Sequence, residues 1–369
     1  MPHVTGSMLL LLGCFVWLLP AEARLCPWAG PPSSEGVVEL LLDVDAGADD
    51  AMAILELLAA EQLSDPSLTP TRVVAISCVG GNAPVRLVRR NVMATLEAAG
   101  RLDIPVFLGA HVSLLHENPT ATMYGRDGFG DFLPDQVAAD EPGDVHAVLA
   151  LTRMVRENPG RFTLLALAPL TNVALALRLD PSFLDNMRAV YFNGAAAHGG
   201  GNQGQPGKEI NVNFDPEAAF IVYNSTRKAI NVMPSETASD LRVSRAWRVG
   251  VLGAVDSAQV RLLNRAERVV LEAAGDKDPW VNANGLLAAA LLCPCVVRER
   301  NPGRLLVATA DGVARGATFV DFSGAGGPDN VLVLERPDSS LFRALALRLL
   351  STPPPQSGPA AVPEKGLFL

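Results

Sequence analysis

The sequence predicts an α/β protein built on a single large, doubly wound, mainly parallel sheet flanked by helices. Short apolar runs alternate with longer segments whose apolar residues recur at helical spacing. The runs are apolar at nearly every position, as strands are when helices cover both faces of a sheet. Size permits this, since 369 residues, 49% hydrophobic and only 19% charged, can bury one large core or two ordinary ones.

The expected strands are 37–42, 72–78, 104–108, 162–167, 189–192 and 229–233, and the expected intervening helices are 50–60, 85–99, 144–157, 172–179 and 216–223. Beyond them, 247–274 reads as one or two helices and 281–292 as another. Residues 317–322 and 331–334 read as a hairpin around the turn-rich 324–329. No linker-like break interrupts 35–350, which forms one domain. The Pro-rich tail 351–369 is expected to be flexible.

At the amino end an apolar run, 8–19, is followed by Pro20 and Ala21-Glu22-Ala23, a secretory cleavage pattern, so 1–23 reads as a signal peptide and the protein as secreted. The stretch is too short to span a bilayer comfortably, although its first seven residues carry no Lys or Arg. An oxidising route leaves Cys26, Cys78, Cys293 and Cys295 for as many as two disulfides, with Cys293 and Cys295 too close for an easy mutual bridge. Asn224-Ser225-Thr226 is an open glycosylation sequon, whereas the proline of Asn118-Pro119-Thr120 blocks that one. A formal charge of -9 without basic runs argues against nucleic acid or an anionic membrane as partner. A small neutral or cationic ligand fits better.

The densest chemistry follows the first strand. Asp43, Asp45, Asp49 and Asp50 place four carboxylates in eight residues, at the carboxyl end of a strand and the start of a helix. One acidic residue there is an ordinary helix cap. Four repel one another unless a hard divalent cation or several hydrogen-bond donors stabilise them. A Leu42-Asp43-Val44-Asp45 motif also opens haloacid-dehalogenase phosphatases, but Gly47 stands where those expect Thr or Val, and Asp49-Asp50 would be left unexplained.

Asp43 to Asp50 resembles the opening motif of the inosine-uridine preferring nucleoside hydrolase family, and further matches follow in the family's order. They are Gly81-Asn82, the loop Gly125-Arg126-Asp127-Gly128-Phe129-Gly130-Asp131, the segment Leu167 to Ala174, Asn202, Glu209-Ile210-Asn211 and Asp215 to Ala219. The resemblance implies hydrolysis of the N-glycosidic bond of a ribonucleoside with one bound Ca2+. It implies Asp45, Asp50, the Leu167 carbonyl and Asn284 as metal ligands, with Asp45 also the general base and Asp43 in support. Asp49, Asn82, Asn202, Glu209 and Asn211 would hold the ribose. Relatives of this kind form homodimers or homotetramers.

The chain departs from the family near its last helix, where a His-Asp pair is usual. An ungapped alignment puts Ala283 at the His and Asn284 at the Asp, so the proton donor is absent and the ligand loses its charge. Tyr124 and Arg126 flank Gly125 where a His is often found; His198 is the histidine expected nearest the pocket, and Trp280 could stack on a base. The alternative reading is a weakly active or inactive member that binds a nucleoside or ribose.

Overall fold

The computed structural model describes residues 36–63, 65–115, 121–133, 145–275 and 278–355. The expected leader, Cys26, His116 and most of the tail lie outside them. In chain order the elements are β1 (Val38–Val44), α1 (Ala48–Gln62), β2 (Thr71–Cys78), α2 (Val85–Ala98), β3 (Val106–Leu108), α3 (Ala147–Glu157), β4 (Phe162–Ala166), α4 (Thr171–Leu179) and β5 (Ala189–Asn193). They continue with α5 (Ile210–Phe214), α6 (Pro216–Ser225), β6 (Ile230–Met233), α7 (Ser235–Asp240), β7 (Val243–Ser244) and α8 (Arg245–Trp247). A π-helical turn, Arg248–Leu252, leads to α9 (Ala258–Ala266), α10 (Arg268–Ala273), β8 (Pro279–Trp280), α11 (Ala283–Leu292), β9 (Val297–Val307), β10 (Thr318–Asp321), β11 (Val331–Pro337) and α12 (Ser339–Leu350).

Nine strands form one sheet in the order β10-β9-β11-β6-β5-β4-β1-β2-β3. Every neighbouring pair from β11 to β3 is parallel, and β9 is antiparallel to both β10 and β11. From β1 the chain winds to β2 and β3 on one side, then returns to β4, β5 and β6 on the other. The apolar strand runs make this arrangement stable because alternate residues feed two cores. Leu40, Leu42 and Val44 join the side chains of α1, α2, α9, α11 and α12 on one face, while Leu41 joins those of α3, α4 and α6 on the other.

Two expectations are corrected here. Residues 317–322 and 331–334 do not pair as a hairpin, because β9 lies between them and pairs with both. Two disulfides are also excluded: Cys295 is disulfide-bonded, but Cys78 and Cys293 are free thiols, Cys78 buried where β2 ends. The region 247–274 is broken into more helical pieces than the one or two expected.

One core group runs against its surroundings. Glu56 of α1 is fully buried and neither carboxyl oxygen has a hydrogen-bond partner among the described residues, so burial drives its pKa well above the usual value. The folded state therefore holds a proton that the unfolded state releases above about pH 4.5, and stability falls as pH rises past that point. Glu56→Leu is expected to stabilise the protein by about 1–3 kcal/mol at pH 7 and by much less at pH 4.5. Thermal melts of both proteins across that range check this.

Candidate active site

The carboxyl ends of the four central strands converge on one cavity of about 280 Å3. β1 leads to Asp45, β2 to Asn82, β4 to Leu167, and β5 ends at Asn193, and all four residues line the wall. The place is the topological switch point, where the chain leaves β1 in one direction and returns to β4 in the other. Asp49, Asn202, Glu209, Asn211 and Asn284 complete the lining expected from the sequence. Asp43 and Asp50 are fully buried and stand outside the lining.

Local backbone chemistry explains how the Asp cluster is held. Ala46 adopts a left-handed conformation, φ 35°, which turns the chain from strand into helix, and its carbonyl accepts a 3.1 Å hydrogen bond from Asn91 Nδ2. Gly47 N donates to Asp50 Oδ2 at 3.0 Å, so Asp50 serves as an N-terminal anchor of α1. A side chain on Gly47 would press on Asn82 Nδ2 at 2.6 Å, and one on Gly81 would collide with Asp45 Oδ2. Asn82 orients Asp45 twice, its backbone N donating to Oδ2 at 2.8 Å and its Nδ2 to Oδ1 at 3.1 Å.

Asp43 lies behind the cavity, held by its neighbours. Its register opposite Ser77 puts the Ser77 hydroxyl 2.6 Å from Oδ1, and Asn172 Nδ2 donates to the same oxygen at 2.8 Å. Asn172 also donates to the Cys78 carbonyl at 3.0 Å and accepts from Ala110 N at 2.9 Å, tying β1, β2 and α4 together. The loop 125–131 contributes less to the cavity than expected. Asp127 turns to Arg90 at 2.6 Å and to the backbone of Phe129 and Asp131, so it shapes the loop, and only Met123 and Tyr124 just before it reach the cavity.

Burial pushes these carboxyls up. Asp45 rises to about 7, with the Asp49 charge adding to burial and the Asn82 N–H opposing it. Asp49 rises to about 6 despite a hydrogen bond from Tyr124, and Asp50 is raised well above its usual range by burial and then by Asp45 and Asp49. Glu209 rises to about 7 by burial, although backbone N–H groups of Val212, Asn211 and Ala195 favour its charged form. Asp43 Oδ2, Asp49 Oδ1 and Asp50 Oδ1 are buried and accept no hydrogen bond among the described residues. A hard cation would satisfy such oxygens and favour their charged forms, so the donor chemistry fits a Ca2+-like ion. Among the described residues no three His, Cys, Asp or Glu side chains gather as a metal cluster. The cation would rest on two carboxylates, Asp45 and Asp50, with neutral oxygens from Leu167 and Asn284.

The model of the inosine-uridine preferring nucleoside hydrolase family matches residues 40–344. The chain belongs to this family. It is 35% identical over 190 residues to the probable uridine nucleosidase 2 of Arabidopsis thaliana, a match covering 50% of this chain and 55% of that protein. The chain thus spans little more than half the length of that relative. Among solved structures, the plant nucleoside hydrolase PpNRh1 superposes with a TM-score of 0.76 at 28% identity, covering 86% of this chain and all of that one. An inosine-guanosine nucleoside hydrolase gives 0.75 at 25% identity, covering 85% and 99%.

The cavity also gathers residues that sequence reading missed. Asn193 donates from Nδ2 to Asn284 Oδ1 at 2.5 Å, and Asn211 Nδ2 bridges the carbonyls of Leu167 at 3.2 Å and Asn193 at 2.8 Å. Glu267, 2% exposed, also lines the cavity beside Trp280, whose Nε1 donates to it at 3.2 Å. Trp280 both lines the cavity and packs on Trp247 and Phe342, so it is a wall and a core residue together. His198 does not line the cavity; its Nε2 pairs with Glu335 at 2.5 Å and its ring stacks on Phe322. Ala283 stands on the wall and offers no proton.

Proposed function

We propose that this protein hydrolyses the N-glycosidic bond of a ribonucleoside, giving free base and ribose, with one Ca2+ at the Asp45–Asp50 end of the cavity. The observation that supports this most directly is that Asp45, Asp49, Asn82, Asn202, Glu209, Asn211 and Asn284, scattered over the sequence, line one cavity of a nucleoside hydrolase fold. Bound Ca2+ would hold a water and make it more acidic.

Asp45, oriented by Asn82, takes the proton of the attacking water as the water oxygen bonds to C1′ and the bond from C1′ to the base breaks, the base leaving with the bonding electron pair and taking its proton from solvent. Asp49, Glu209 and the three amides Asn82, Asn202 and Asn211 suit a ribose, because carboxylates accept from hydroxyls and amides both donate and accept. Their negative charge favours the cationic character that the sugar develops as the bond breaks. Asn202, exposed on its loop, is steadied by Ile210 N donating to its Oδ1 at 2.9 Å. Ala283 supplies no proton to the leaving base, and the apolar wall there, with Trp280, offers it a stacking surface instead. In the same reading the leader directs the protein out of the cell, and Asn224, exposed at the end of α6, is open to glycosylation.

The test incubates purified protein with a panel of purine and pyrimidine ribonucleosides, with Ca2+ or with chelator, and measures reducing sugar. The expected outcome is chelator-sensitive ribose release from at least one nucleoside. Binding of a nucleoside with no release from any would instead support a binding protein, the reading that Ala283 and the uncharged Asn284 favour.

A further inference from the structure

The 2.5 Å hydrogen bond from Asn193 Nδ2 to Asn284 Oδ1 joins two buried residues on the cavity wall, 6% and 2% exposed. It is shorter than the ordinary N–H to O range of about 2.7–3.2 Å. Asn284 sits in the first turn of α11, fixed by Asn282, whose side chain accepts from Gly285 N at 2.8 Å. Asn193 closes β5 and is fixed through its own carbonyl, which accepts from Asn211 Nδ2. Neither backbone can easily withdraw.

A carboxylate at position 284 would have two oxygens, one for the Asn193 N–H and one for a cation. The amide of Asn284 has only one, and its other terminal atom is an N–H2 donor that repels cations. A cation approaching Oδ1 therefore meets an oxygen whose electron density already serves an N–H dipole, with the positive end of that dipole beside it. We propose that Asn193 competes with the divalent cation for Asn284 Oδ1, so that this one hydrogen bond sets how tightly the site takes calcium. The inference rests on the cation reading given above. In this chain the N–H of Asn193 weakens what Asn284 Oδ1 can offer a cation, and calcium affinity is held low by a residue that need not touch the ion.

Four purified full-length proteins test it: wild type, Asn193→Leu, Asn284→Asp and the double variant, each titrated with Ca2+ alone by calorimetry and by shift of the thermal midpoint. Asn193→Leu is expected to tighten calcium binding by about two- to tenfold, the worth of one hydrogen bond. Asn284→Asp is expected to tighten it by about tenfold or more, since it adds a charged ligand. In the Asn284→Asp background, replacing Asn193 should bring no further gain, because the second carboxylate oxygen had accepted its N–H. Asn193→Ala is the second variant should leucine disturb folding, judged by the calcium-free midpoint. Calcium bound by wild type with equal or greater affinity than by both Asn193 variants overturns the competition and leaves the cation reading standing. Absence of calcium binding in all four proteins overturns both.

Discussion

Asp45→Ala is expected to lower nucleoside turnover by about 10^3-fold or more, the scale of losing the general base and metal ligand proposed above. Asp45 is 3% exposed and its two oxygens are held by both donors of Asn82, so its orientation is built before any substrate arrives. The same substitution should leave the calcium-free protein as stable as wild type, or more so. Burial and the nearby Asp49 charge both disfavour the ionised Asp45, so alanine there removes a repulsion that the fold otherwise carries. Initial rates of ribose release, measured beside thermal melts in chelator, separate the two effects. A variant that keeps more than about a tenth of wild-type turnover would rule out the general-base role assigned to Asp45.

Arg248→Met should produce the largest loss of stability, about 3–5 kcal/mol. Arg248 is 1% exposed, its Nε lies 2.6 Å from Glu267 Oε2, and its Nη1 donates to Asn264 at 2.8 Å. Methionine fills similar space but leaves Glu267 as a buried carboxylate with only neutral donors such as Trp280. Burial already raises the Glu267 pKa and Arg248 opposes that rise, so without Arg248 it climbs further. The folded state then holds a proton that the unfolded state gives up above about pH 4.5, and the loss grows with pH. Chemical denaturation at pH 5 and pH 8 should show the larger destabilisation at pH 8. Adding Glu267→Leu to Arg248→Met should restore much of it, since no charge then stays buried without a partner.

Much of this fold is legible because its central strands are apolar at nearly every position and its helices keep their spacing. The strand β9 is not legible for a physical reason. Val297-Arg298-Glu299-Arg300-Asn301 alternates with charges, and Pro302-Gly303 reads as a turn; the segment is extended because β11 pairs along it, and β10 pairs with the residues 304–307 that follow. The expected hairpin failed for the same reason, as no local signal announces a strand inserted between two others. At the site, the Asp cluster is visible because its members are neighbours in sequence and follow a strand. Asn193 and Glu267 are not, since Asn193 meets Asn284 and Glu267 meets Arg248 only through tertiary packing, and an isolated Asn or Glu carries no spacing to read.

The cavity has a floor and a wall of different origin. Asn193 closes a central strand, and Asp45, Leu167 and Asn82 follow the ends of three others within one to four residues, where a change of position would disturb the cores on both faces. Met123, Tyr124, Val270 and Leu271 come from segments that pair with no strand of the nine-stranded sheet, and α10, which carries the last two, contributes no buried residue. Descent with modification can therefore act on the two parts separately. Substitutions at Val270 and Leu271 of α10 touch the cavity with little disturbance of the buried cores, while the floor is inherited with the sheet itself.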